Sequence, residues 1–258
     1  MRFCVLGSGS KGNATFVEAG GIRLLIDAGL SGAEIRRRLA ERGIDIESLS
    51  AILLSHEHID HCRSVALLAR RHRLAVHGTA ATLAAAAERL QGLSGCQELV
   101  PGCALSVGSL TILPFAVCHD AADPVGFVLE ERGARLGVCT DSGTVTRLMR
   151  HRLAGCHGLV LESNHEPELL RTGPYPPRLK QRVAGQEGHL SNQEAAGLLA
   201  DLLHDRLSHV VLAHLSEINN RPDHALAAAE QSLAAAPWRP RLAVASQETA
   251  GELVELQP

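Results

Sequence analysis

The sequence predicts an α+β fold, a four-layer αββα sandwich. Three observations predict it: short β-rich runs open both halves of the chain, helix-spaced segments follow in each half, and the first strands form a meander. A doubly wound parallel sheet is the rival. The early meander argues against it, and "GSGSKGN" at 7–13 is not the GxGxxG opening of a dinucleotide fold. Residues 1–258 are read as one domain. No repeat or low-complexity linker divides them, and the Gly/Pro stretch at 172–177 is too short to do so.

The first half starts with "RFCVLG" (2–7), "ATFVEA" (14–19) and "IRLLID" (22–27), strands separated by Gly-containing turns. A helix is expected over 32–42, then the strand "AILLS" (51–55). Residues 61–72 have helical spacing, with Val65, Leu67 and Leu68 near one side. "LAVHG" (74–78) and the Ala-rich 79–90 repeat the strand-then-helix pattern. From about 109 the alternation restarts with "LTILPF", "VGFVLE" and "RLGVCTD" as strands and a short helix at 144–152. "GLVLES", "HVVLAHL" and "RLAVAS" are later strands, interleaved with helices near 192–204 and 222–235.

Composition narrows the function classes. The chain is 45% hydrophobic and 21% charged, as an ordinary globular protein is. A net charge of −3 supplies no global field for nucleic acid, leaving only a local basic patch. Aromatics at 2% disfavour a base-stacking platform. The seven cysteines are odd in number, scattered and free of any CxxC pair, which fits buried thiols in a reducing compartment. The first residues are too short an apolar run for a signal peptide, and no run reaches membrane-spanning length. A cytoplasmic protein without membrane contact is expected.

The chemistry concentrates in "LLSHEHIDH" (53–61), which places His56, His58, Asp60 and His61 behind an apolar strand. His56 and His58 are two apart at a strand exit, so an extended backbone points both rings to one side. Asp60 and His61 open a helix, where free N–H groups favour a carboxylate. One loop thus offers two imidazoles to one cation, and a carboxylate plus an imidazole to a second. Further ligands stand where other strands end: His119 after "FAVC", Asp141 after "LGVCT" and His214 after "VVLA". A lone His at a strand end is ordinarily surface or satisfied core; seven such residues together point to a metal site.

His-x-His-x-Asp-His followed by an isolated His, a strand-end Asp and a late His resembles the metallo-β-lactamase fold superfamily, over nearly the whole chain. Asp27 in "LLIDAG" matches that family's early structural Asp. The resemblance implies one metal on His56, His58 and His119, a second on Asp60, His61 and His214, and Asp141 bridging them. Ligands of nitrogen and carboxylate oxygen without thiolate suit Zn²⁺, with Mn²⁺ or Fe²⁺ as alternatives. Lactam-cleaving members commonly vary the second site with Arg or Cys, so a full second site disfavours a β-lactamase. Two cations support hydrolysis of thioesters, lactones or phosphodiesters alike.

"GSGSKGNAT", "HDAADPVGF", "LESNHEPELLRTGPYPPRLKQR", "GHLSNQEA" and "AHLSEINN" look like the YycJ/WalJ (VicX) group of that superfamily. The resemblance implies a DNA-directed phosphodiesterase, in particular a 5′-to-3′ exonuclease on DNA ends or single strands, with Asp60 serving catalysis as well as metal binding. "HLSNQE" reads as a capping box, with Ser191 capping a helix and Glu194 reaching back. His189 stands just before that helix start, where a phosphate meets a proton donor and free amides, so it is expected to contact substrate and to act as general acid. Ser191, Asn164, His165, Lys11 and Asn13 are the other expected substrate contacts. Arg171, Arg178, Lys180 and Arg182 form the basic segment nearest these motifs and read either as a phosphate track or as a solvated helix face.

Only about seventy residues separate Asp141 from His214, too few for the large inserted clamp of RNA-processing relatives. No long Gly/Pro arm of the tRNA 3′-processing kind is present either. A phosphodiesterase for small or cyclic nucleotides and a non-enzymatic scaffold remain as alternatives; seven ligands argue against the scaffold.

Overall fold

The computed structural model describes residues 1–93 and 95–258. The first half runs β1 (Arg2–Gly7), β2 (Ala14–Ala19), β3 (Ile22–Ile26), α1 (Gly32–Ala40), a 3₁₀ turn (Ile46–Ser48), β4 (Ala51–Leu53), α2 (Ile59–Cys62), α3 (Val65–His72), β5 (Ala75–Thr79), α4 (Ala80–Ala85) and β6 (Cys96–Leu99). The second runs β7 (Leu105–Val107), β8 (Leu110–Ala116), β9 (Val125–Glu131), β10 (Ala134–Cys139), α5 (Arg147–Leu153), β11 (Gly158–Glu162), α6 (Pro167–Thr172), α7 (Pro177–Val183), α8 (Asn192–Leu202), β12 (His209–Ala213), α9 (Pro222–Ser232), β13 (Arg241–Val244) and β14 (Val254–Glu255).

The strands form two seven-stranded sheets, ordered β14-β1-β2-β3-β4-β5-β6 and β13-β12-β11-β10-β9-β8-β7. Both are mixed on the same plan. An antiparallel meander (β1-β2-β3, and β7-β8-β9-β10) leads into parallel strands (β3 to β6, and β10 to β13). This is the expected αββα sandwich.

Period-2 side-chain alternation makes the four layers, because both faces of the central strands are apolar. In β1, Phe3 and Val5 face the opposite sheet while Cys4 and Leu6 face the outer helices. Buried residues therefore sort into three apolar layers: one under α1 and α3, one between the sheets, one under α5, α8 and α9. All four phenylalanines are spent inside, at 0% exposure. Each contributes roughly 1.5–3 kcal/mol by leaving water.

The differences from expectation have local causes. The single helix over 61–72 is two, broken where the Ser64 N–H donates to the Ala28 carbonyl and its hydroxyl to the Leu30 carbonyl. The Ala-rich 79–90 is helical only through Ala85, with turns beyond. β6, β7, β14, α6 and α7 come in addition. No described helix is long and apolar enough to cross a membrane.

Candidate metal centre

The parallel strands of both sheets end at one rim. Asp27 follows β3, residues 55–61 follow β4, Asp141 follows β10, Glu162 ends β11 and His214 follows β12. His119 comes to the same rim after β8. Asp27, Asp141 and His214 all adopt left-handed backbone, at φ 62°, 58° and 56°. Non-glycine residues held there cluster at functional sites and cost on the order of 1–3 kcal/mol each.

The seven expected ligands meet. His58 Nδ1 lies 3.1 Å from His56 Nε2 and 3.3 Å from His119 Nε2. On the other side Asp60 Oδ2 is 3.6 Å from both His61 Nε2 and His214 Nε2. Asp141 stands between the two groups, with Oδ2 3.3 Å from His61 Nε2 and Oδ1 3.4 Å from His214 Nε2 and 3.8 Å from His119 Nε2. His56 and His61 each bring a nitrogen close to an Asp141 oxygen as well, within 4.8 Å mutually.

Each buried imidazole is aimed by what holds its other nitrogen. His61 Nδ1 donates to Asp27 Oδ2 (2.7 Å), His119 Nδ1 to the Gly188 carbonyl (3.1 Å) and His214 Nδ1 to Glu162 Oε1 (3.1 Å). His56 Nδ1 is 3.0 Å from Ser55 Oγ. This outer layer fixes tautomer and ring orientation for metal binding. Asp27 also accepts the Ser55 N–H and hydroxyl, both at 2.8 Å, and so ties the His-rich loop to β3.

The donor set fits divalent cations by two further observations. Asp141 Oδ2 and His214 Nε2 are buried, yet neither makes a hydrogen bond despite neighbours near 3.3 Å. Two unpaired atoms among so many oxygen and nitrogen donors suit a ligand held between them. The electrostatics agree. Burial lowers the His214 pKa, but Asp141, Asp60 and Glu162 outweigh it and lift it to about 10. His61 is likewise raised, burial being overcome by Asp141 and Asp27. Asp141 is held well below its usual range by His214 and His61 despite complete burial. Protons on two imidazoles thus balance the carboxylates, and cations can take their place.

Gly29 positions Asp60. A Cβ there would lie 1.5 Å from the Asp60 carbonyl oxygen, which accepts the Asn13 N–H at 2.7 Å. Gly29→Ala is therefore expected to cost about 1–3 kcal/mol and to reduce metal retained on purification. Thermal melts and elemental analysis check this; a variant with wild-type melting and metal content contradicts it.

The expected substrate residues fall differently. His189 is partly open, its side chain 17% exposed, with Nδ1 donating to Glu162 Oε1 at 2.8 Å. Ser191 forms the expected capping box with Glu194, so its hydroxyl is engaged in the start of α8. Asn164 donates to the His214 carbonyl (2.8 Å), and His165 is buried with Nδ1 unpaired. Asn13 is buried, its Nδ2 3.0 Å from His61 Nε2, while Lys11 pairs with Glu217 at 2.6 Å on the surface. His189 and Lys11 remain accessible. Asn13, Asn164 and Ser191 have their polar groups engaged within the fold, and His165 is withdrawn by burial.

Sequence reasoning missed Glu162. It is fully buried, and its Oε2 accepts the Ser142 and Leu190 N–H groups (2.9 and 3.2 Å) while Oε1 takes His189 and His214. Burial raises its pKa, but the His189 charge and the two histidine hydrogen bonds win and set it at about 2. The available signal was a carboxylate closing the wholly apolar run "GLVL".

Two seven-stranded sheets with a His/Asp cluster on the shared rim define the metallo-β-lactamase fold. The family model described as "Beta-lactamase superfamily domain" matches residues 22–214, and the chain belongs to the metallo-β-lactamase superfamily. Within it the chain is YycJ/WalJ-like. It is 35% identical over 235 residues to the exodeoxyribonuclease YycJ of Bacillus anthracis, covering 90% of this chain and 89% of that protein. It is also 35% identical over 224 residues to the exodeoxyribonuclease WalJ of Streptococcus pneumoniae, covering 85% and 83%. The crystal structure of YhfI from Bacillus subtilis superposes with a TM-score of 0.73 at 18% identity, over 97% of this chain and 99% of that one, a likeness of fold. Fold, family and ligand cluster together make the protein a hydrolase with residues able to hold divalent metal.

Proposed function

We propose that the protein is a two-metal phosphodiesterase that degrades DNA from an end, in the 5′-to-3′ direction. The observation that carries the reading is the convergence of seven candidate ligands, Asp141 standing among the other six, with the His189–Glu162 pair beside them. His56, His58 and His119 would hold one cation, Asp60, His61 and His214 a second, and Asp141 would contribute to both, with Zn²⁺ first in order and Mn²⁺ or Fe²⁺ as alternatives. When bound, such cations supply Lewis acidity and positive charge toward water and phosphoryl oxygens.

The chain's own residues do the rest. Asp60 is the more open carboxylate of the cluster, 18% exposed against 3% for Asp141. Its pKa is lowered: burial opposes ionisation, but the neighbouring His214 and His61 imidazoles prevail. An ionised Asp60 at the opening orients the attacking water and accepts its proton. His189 keeps Nδ1 on Glu162, so Nε2 is the nitrogen that delivers a proton to the departing sugar oxygen. DNA as substrate is supported by the printed activities of relatives that are 35% identical over most of the chain. Seven unpaired thiols support a reducing, cytoplasmic setting.

The test uses metal-loaded protein on single- and double-stranded DNA labelled at either end. The reading expects stepwise release of nucleotides from the 5′ end and its loss in Asp60→Ala. Turnover of small diesters or RNA alone, or an Asp60→Ala variant equal to wild type, overturns it.

A further inference from the structure

We propose that Arg182 anchors the nucleic-acid strand, its guanidinium taking a backbone phosphate that flanks the one being cleaved. The inference rests on the nuclease reading above and narrows it to a residue.

The structure separates the four basic residues of the 171–182 segment. Arg171 is paired with Glu168 one helical turn away, and Lys180 Nζ donates to the Arg171 carbonyl at 2.7 Å. Arg178 is exposed on α7, a helix that buries none of its residues. Arg182 alone of the four is joined to the metal rim. Its Nε donates to Asp120 Oδ2 at 2.5 Å, and Asp120 Oδ1 lies 3.5 Å from His119 Nε2. The Asp120 N–H in turn donates to the Glu187 carbonyl, and His119 Nδ1 to that of Gly188.

This arrangement suits a phosphate. Only Nε is engaged, so both Nη groups are left to donate, and the side chain stays 57% exposed. They border a surface cavity of about 430 Å³ lined by Asp120, Gln181, Arg182, Gln186, Glu187 and Gly188, next to His119. A guanidinium already oriented by a carboxylate loses little freedom when it forks onto a second oxyanion. Because Asp120 neutralises much of its charge, Arg182 acts at contact range by placing donors, and long-range attraction is not its role. Glu187 on the same wall disfavours a free anion, which suits a phosphate delivered by a strand already held at the metals.

The test compares Arg182→Ala, Arg182→Lys and Arg171→Ala as metal-loaded proteins. It follows steady-state cleavage and equilibrium binding of a single-stranded DNA across salt concentrations, with a small aryl phosphodiester alongside. Arg182→Ala is expected to raise KM for the strand roughly tenfold, against a smaller change in kcat, and to lose more on the strand than on the small diester. Its log–log salt slope should fall, by less than the about 0.7 that an unpaired cation gives on a single strand, because Asp120 already offsets part of the charge. Arg182→Lys recovers part of the loss, since an ammonium lacks the fork, and Arg171→Ala behaves as wild type. An Arg182→Ala protein that melts as wild type and keeps its strand KM and salt slope overturns the proposal while leaving the nuclease reading intact. Wild-type protein that neither binds nor cuts the strand overturns both.

Discussion

Asp141→Ala is expected to remove activity toward every phosphodiester, by on the order of 10³-fold or more in kcat. Asp141 lies within 4 Å of ligand atoms from both histidine groups, reaching His61 and His214 on one side and His119 on the other. Its loss would deprive both proposed cations of a ligand and leaves His61 and His214 without the carboxylate that most raises them. The expected signature is therefore double: collapse of kcat and reduced metal content in the same preparation. Asp141 sits at φ 58°, where alanine is strained, so Asp141→Asn belongs beside it. Asparagine keeps the shape and tolerates that backbone while removing the charge. If Asp141→Asn binds metal fully and turns over substrate at near wild-type rate, the bridging role is wrong.

His189→Ala carries the second large effect, roughly 10²–10⁴-fold in kcat on DNA. The penalty should shrink on an aryl diester, whose leaving group departs without a proton. That contrast separates proton delivery from a packing role, because a misfolded site would lose both substrates alike. Glu162→Gln should follow the same pattern at about 10–100-fold, since it both orients His189 and holds the outer nitrogen of His214. Glu162 also makes a pH prediction. Its pKa falls from 4.5 to about 2 on folding, so the unfolded chain binds the proton more readily. The stability it contributes is complete above about pH 4.5 and is lost as pH drops toward 2. Metal-free Glu162→Gln protein should show a flatter acid-unfolding profile across that window, although its overall stability is lower. An equally steep profile excludes Glu162 as the source.

Much of this was legible in the sequence because the signals are local. Four of the candidate ligands lie within six residues, and the other three each close an apolar run, so alternation and strand ends placed them on one rim. The capping box at Ser191 was readable for the same reason: S-x-x-E is a short-range pattern with a single geometry. What stayed hidden depends on distant partners or lacks a pattern. Glu162 looks like a turn marker until the Ser142 and Leu190 amides, twenty and twenty-eight residues away, converge on it. β14 pairs through only two residues, and β6 exposes three of its four. α7 has no buried face and hence no helical periodicity to read. Asn13, Asn164 and His165 carry the right chemistry, but which side of the metal ligands they occupy is settled by tertiary packing alone.

Metal stoichiometry tests the central claim most directly. Untagged protein stripped with chelator and titrated with Zn²⁺ under calorimetry should take up two equivalents per chain, with protons released as His61 and His214 give theirs up. Uptake should weaken as pH falls, because protons and cations compete for the same nitrogens. A chain that binds no stoichiometric transition metal on reconstitution, by calorimetry and by elemental analysis, contradicts the account.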